Sequence, residues 1–83
     1  MLITNEWSAP AGIKYVKNIR ILSSKGNYIV KVFSPDGTSL EFPVMDERKA
    51  FEIPAEEIRT IVRPMISFKS NLKEEMHIEV LPY

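Results

Sequence analysis

The sequence predicts a mainly β protein, a small antiparallel β-barrel or strongly bent sheet of five to seven short strands with one helical turn near Ala55, within residues 55–63. Three observations lead there. The apolar runs YIVKVF, SLEFPV and AFEI are divided by SPDGT and MDERK, loops that carry their own turn chemistry. The near-terminal segment EMHIEV alternates apolar and polar residues at period two, which is the pattern of a half-buried strand. The whole chain has only 83 residues, enough for one core and one domain. Residues 1–13 are expected to form an extended N-terminal arm and residues 14–83 a single β domain.

Along the chain, residues 1–13 hold one apolar triplet, the isolated Trp7 and the turn-forming run SAPAG, with no sustained period of either kind. From residue 15 to 23 the odd positions Tyr15, Ile19 and Ile21 favour one face, predicting a strand. SSKGN then supplies a hairpin connection, since Gly26 and Asn27 both tolerate positive φ. Tyr28 to Phe33 is apolar on both faces apart from Lys31, as expected of a central strand. In SPDGT, Pro35 presets φ and Gly37 accepts the left-handed conformation that returns the chain. Leu40, Phe42 and Val44 then alternate with Ser39, Glu41 and Pro43, and Pro43, with no N–H to give, places this strand at an edge or a bulge.

Ala50 to Ile53 reads as a short strand that Pro54 stops. The following PAEEIRTIVRP supports two readings. Ile58, Ile61, Val62 and Met65 follow helical spacing, but fewer than three turns fit between Pro54 and Pro64, and three of the four are β-branched. The favoured reading is a helical turn at residues 55–57 leading into a strand at 58–63. MISFKS follows with Ile66 and Phe68 inward, residues 71–74 turn the chain, and the last strand points Met76, Ile78 and Val80 inward and Glu75, His77 and Glu79 outward.

Eleven basic and eleven acidic side chains cancel, yet they are unevenly placed. Residues 1–34 carry Lys14, Lys17, Arg20, Lys25 and Lys31 against Glu6, a net of +4; residues 35–57 carry seven carboxylates against Arg48 and Lys49, a net of −5. Pairing of oppositely charged neighbours across a sheet accounts for this simply, and a polarised surface that steers a partner is the sharper alternative. Without cysteine there is neither a disulfide nor a thiolate metal site. The start meets Asn5 and Glu6 after four residues, unlike a secretory leader, and no run approaches the length of a membrane span. A soluble, cytoplasmic protein with no membrane partner is the expectation.

Few residues invite chemistry. His77 is the only histidine, flanked on its strand by Glu75 and Glu79, and one histidine falls short of the three or four ligands a zinc site needs. No nucleophile motif occurs, and Gly12, Gly26 and Gly37 stand too far apart to cradle a phosphate. An enzyme, a cofactor, a metal and a small-molecule substrate are all unexpected. Two kinds of binding remain. Trp7 on its arm, with Lys14, Lys17, Arg20 and Lys25, suits a protein partner or a second copy of the chain. Alternatively Lys14, Lys17, Arg20, Lys25 and Lys31 with Tyr15 and Tyr28 suit the basic, aromatic face of a nucleic-acid-binding β-barrel, although Tyr28, Phe33, Phe42, Phe51 and Phe68 are also the large side chains available to fill a core.

The segment FEIPAEEIRTIVRP, residues 51–64, resembles the end of small barrels of the Sm and Src-homology type, in which a strand, a single turn and a short apolar strand close the barrel. The resemblance implies an Src-homology-like or Sm-like barrel. VMDERKAF departs from the aspartate and asparagine signature an Sm protein would show, so it brings no RNA-binding residues with it. The expectation is a non-catalytic interaction module that binds a protein partner or itself, with a small nucleic-acid-binding barrel as the alternative.

Overall fold

Turn chemistry and alternation divide the described residues into eight strands and one helical turn: β1 (Leu2–Ile3), β2 (Ala11–Gly12), β3 (Ile19–Ser23), β4 (Tyr28–Phe33), β5 (Ser39–Val44), β6 (Ala50–Ile53), α1 (Ala55–Ile58), β7 (Met65–Ser70) and β8 (Met76–Pro82). The structure, a computed structural model, describes residues 1–13, 18–24, 26–45, 50–73 and 75–82. Two antiparallel four-stranded sheets result, ordered β1-β8-β3-β6 and β2-β7-β4-β5. The pairing does not close into a barrel, because β6 and β5 each end a sheet. The count exceeds the five to seven strands expected from the sequence, since the arm contributes two strands of two residues each.

Period-two alternation sets what each sheet buries. In β4, Tyr28, Val30 and Val32 are buried while Ile29, Lys31 and Phe33 lie half-buried on the opposite face. In β3, Ile19 and Ile21 face the core opposite Ile53 and Phe51 of β6, and Ile21 also faces Val80 of β8. Ile3, Met76, Ile78 and Phe68 join them, so the inner faces of both sheets form one cluster. Fully burying each such side chain stabilises by about 1.5–3 kcal/mol. Across the open side between β5 and β6, where no ladder forms, the Phe42 and Phe51 rings meet at 6.4 Å in a tilted arrangement.

The hairpin joining β4 to β5 follows its sequence. Gly37 N–H donates to Ser34 O at 3.0 Å and Ser34 N–H to Thr38 O at 2.8 Å, while Gly37 adopts φ +100. The Asp36 carboxylate accepts the Thr38 N–H at 2.9 Å, which holds its pKa below the ordinary 3.8. Asn27 likewise takes a positive φ of 62 before β4. Pro43 is expected at an edge or a bulge, and among the described residues β5 is an edge strand paired with β4 alone. Its inward alternation is weaker than the sequence suggests: Val44 is buried and Phe42 half-buried, but Leu40, near the hairpin, is 38% exposed.

Beyond Pro54 the sequence reading needs correction. The helical turn forms, and the Asn18 side chain of the β3 approach caps it by accepting the Ala55 N–H at 2.9 Å. No strand follows at 58–63. Ile61 N–H instead donates to Ile58 O at 3.1 Å, and Arg63 takes a φ of 50 before Pro64. Ile58 and Ile61 are both buried, so their spacing of three serves a helical turn and a reverse turn that plug the core. The strand predicted from residue 15 begins at Ile19 among the described residues, and its first part lies outside them. β8 alternates as expected but sits inside its sheet, between β1 and β3.

Charge complementarity is built into the ladders. Lys31 stands opposite Glu41, and Arg20 opposite Glu52. These two positions set opposite charges directly across a ladder, an arrangement worth about 0.2–1 kcal/mol each.

Candidate binding face

The N-terminal arm runs antiparallel beside β7, and a mismatch in length places Trp7. Ser70 N–H donates to Thr4 O at 2.8 Å, Ser8 N–H to Phe68 O at 2.8 Å, and Ala11 pairs with Ile66. From 4 to 11 the arm advances seven residues while β7 advances four, from 70 to 66. Three residues must therefore leave the ladder, as in a bulged strand. The Thr4 hydroxyl accepts the Glu6 N–H at 3.2 Å, which bends the chain where it departs. Ser8 then returns it: its Oγ accepts the Phe68 N–H at 2.9 Å, and its carbonyl accepts the Ser67 hydroxyl at 2.6 Å. Trp7, on the displaced segment, is left over the outer face of the sheet.

That face is set by strand parity. Met65, Ser67 and Lys69 of β7 pair with Phe33, Lys31 and Ile29 of β4, and these pair in turn with Ser39, Glu41 and Pro43 of β5. The Lys31 ammonium lies 4.3 Å from the centre of the Trp7 ring and 5.1 Å from that of Phe33. The Lys69 ammonium lies 5.6 Å from the Trp7 ring. The result is an alternation of ring and cation: Lys69, Trp7, Lys31, Phe33. Each such contact is worth about 0.5–1 kcal/mol where water still reaches it. Trp7 keeps 36% of its surface exposed, while Ser67 beneath the arm is buried. Among the ladder positions of this face Glu41 is the only carboxylate, against two lysines.

The sequence had named some of these residues without showing which would meet. Trp7 and Lys31 do come together. Lys14, Tyr15, Lys17 and Lys25 lie outside the described residues. Arg20 belongs to the other sheet, facing outward between Glu52 and Leu81, and is no part of this face. Tyr28 is corrected from binding aromatic to core residue, since it is fully buried on the inner face of β4. Burial raises the pKa of its hydroxyl above the ordinary 10.0. The Ser23 side chain lies close enough to oppose that rise, yet no described group meets the hydroxyl in hydrogen-bond geometry. Phe33, grouped with the core fillers by composition, is instead on the outer face. Lys69 was missed. The available signal was parity: Lys31 marks the outer face of β4 and so takes Phe33 with it, and inward Ile66 and Phe68 leave Ser67 and Lys69 outward.

A second concavity, of about 350 Å³, lies at the other sheet among Met1, Leu22, Ser23, Ser24, His77, Ile78 and Glu79. His77 is exposed there, and the Ser24 hydroxyl accepts the His77 backbone N–H at 3.1 Å. Among the described residues no three His, Cys, Asp or Glu side chains gather to hold a metal ion, and no helix is long and apolar enough to cross a membrane. Compared with protein-family models, with curated proteins and with solved structures, the chain finds no match.

Proposed function

We propose that this protein is a non-catalytic interaction module that engages a partner through the outer face of β7 and β4, around Trp7. One observation carries the reading: a large aromatic ring is held half-open over a sheet by two ammoniums, Lys31 and Lys69, at 4.3 and 5.6 Å. A ring kept at the surface by a bulged arm, when fourteen apolar side chains are buried elsewhere among the described residues, is positioned for contact with something outside the domain. The lysines orient it and flank it with charge. Nothing in the face activates a nucleophile or withdraws a proton, which suits recognition without chemistry.

The test compares wild-type protein with Trp7→Ala and with Lys31→Glu/Lys69→Glu as baits for affinity capture from the native cell, with and without nuclease. Each bait is first shown to be folded by circular dichroism. The reading expects both variants to lose the partners that wild type retains. An unchanged set of partners on all three baits would overturn it. Light scattering across a concentration series distinguishes a second copy of the chain from a foreign partner.

A further inference from the structure

We infer that the ligand of this face is single-stranded nucleic acid, bound through base faces and phosphates; this rests on the outer face of β7 and β4 being the binding surface. Such a strand presents flat rings and anionic groups in alternation, and the face presents rings and cations in alternation. Lys31 sits between Trp7 and Phe33, within 4.3 and 5.1 Å of their centres, and Lys69 lies beyond Trp7 at 5.6 Å. A base stacked on the part of Trp7 that stays exposed has two ammoniums within reach of its phosphate, while Phe33, half-buried with Lys31 over it, borders the site. The strand parity of β4 fixes the order of Lys31 and Phe33, and the hydrogen bonds of Ser8 to Phe68 and Ser67 fix the Trp7 end.

Charge decides between this ligand and an acidic peptide. The chain as a whole is neutral, and two lysines opposed by Glu41 on the ladder and by Glu6 next to Trp7 leave the face no net positive charge. A polyanion held by charge alone would gain little here. A ligand that also stacks gains from the Trp7 ring, and bases offer a flat π surface at every residue where an acidic peptide offers none. Recognition through base faces and phosphates does not involve the sugar, so DNA and RNA strands should bind alike. A duplex, whose bases are already stacked, should bind about tenfold more weakly or worse.

The experiment measures anisotropy of labelled dT15 and rU15 against the full chain, with a dT15·dA15 duplex and a polyglutamate peptide as competitors. Two phosphate contacts predict a log–log salt slope of about −1.4, at about 0.7 per contact on single strands, or about a sevenfold loss of affinity between 50 and 200 mM salt. Trp7→Ala should weaken binding by about 5- to 150-fold, the range for loss of one stacked base. Lys31→Gln and Lys69→Gln should each lower the slope by about 0.7. Phe33→Leu, which keeps the apolar bulk, provides a second variant at the border of the site should Trp7→Ala loosen the arm. Absence of dT15 and rU15 binding at low salt, or binding unaffected by these substitutions, overturns the inference. If polyglutamate binds through Trp7 and the lysines while the oligonucleotides do not, the ligand class is wrong and the binding face stands. Capture results that ignore the face would overturn the face itself.

Discussion

Replacing Ser8 with alanine tests how the arm is held and what that does to Trp7. The Ser8 Oγ accepts the Phe68 N–H at 2.9 Å and lies 3.4 Å from the Ser67 Oγ, while the Ser8 backbone donates to Phe68 O and accepts from the Ser67 hydroxyl. Alanine keeps both backbone contacts and removes the acceptor of the Phe68 N–H. Phe68 is buried, so water does not readily replace that acceptor, and an unsatisfied buried N–H costs about 1–3 kcal/mol. Because β7 is bordered here by a bulged arm and not by a continuous strand, the arm can relax, and the lower part of that range, about 1–2 kcal/mol, is expected. A domain of 83 residues has about 4–12 kcal/mol of stability in all. The loss should therefore appear as a fall in melting temperature of about 4–16 °C.

Trp7 is the only tryptophan, which makes the assay specific. Urea unfolding followed by far-ultraviolet circular dichroism reports the sheets, and tryptophan emission reports the arm. In Ser8→Ala the emission of the folded protein should shift to the red as the ring leaves the lysines, and the Phe68 amide should exchange faster with deuterium. Ser67→Ala should show the same pair of effects, and the double variant should cost less than the sum of the two, because both hydroxyls serve one junction. A loss below about 0.5 kcal/mol, the scale of an ordinary surface substitution, with Phe68 exchange unchanged, would refute the assignment of Ser8 as the clamp.

Two further predictions concern the fold. Gly37→Ala meets no atom within 4 Å but must hold φ +100, so a thermal melt should show a loss of about 1–2 kcal/mol from backbone strain alone. Tyr28 has a folded pKa raised above 10.0 by burial, so unfolding releases a proton once pH passes 10.0; the associated stability is complete below that pH and is lost as pH rises toward the folded pKa. Denaturant unfolding between pH 8 and 11 should show this alkaline decline in wild type and a smaller one in Tyr28→Phe. That variant should be about as stable as wild type at pH 7 or more so, since it deletes a buried hydroxyl that no described group meets in hydrogen-bond geometry.

The elements bounded by fixed dihedrals were the ones legible in the sequence. β4 runs from Tyr28 to Phe33 because Asn27 takes a positive φ before it and the Pro35–Gly37 turn follows it, and residue type dictates both. β8 was legible from strict alternation. Residues 58–63 were misread because β-branched side chains favour strands only where a neighbouring strand offers a ladder. Here Ile58 and Ile61 reach the core from consecutive turns, and the Ile61-to-Ile58 hydrogen bond replaces a cross-strand pair. The candidate face was half legible. Parity within β4 and β7 assigns Phe33 and Lys69 outward, but the pairing of Lys31 with Ser67, and the placing of Trp7 above both, depend on long-range register. Register is a property of two strands together, and single-strand periodicity does not carry it.

The arm links the stability of the fold to the proposed recognition by Trp7. β1 pairs with β8 in one sheet, residues 4–13 lie along β7 of the other, and the same segment delivers Trp7. Each of its strands is only two residues long, so the arm should open locally at a lower free energy than the sheets it joins. The ring is therefore presented only while Ser8 is docked, and a ligand that holds the ring also holds the arm. By mass action, ligand at ten times its dissociation constant stabilises the docked arm by about 1.4 kcal/mol. That is comparable to the contribution assigned to the Ser8 side chain. If the face binds as proposed, binding and docking of the arm along β7 form one equilibrium, and a substitution that weakens either should weaken the other, even where it touches no ligand.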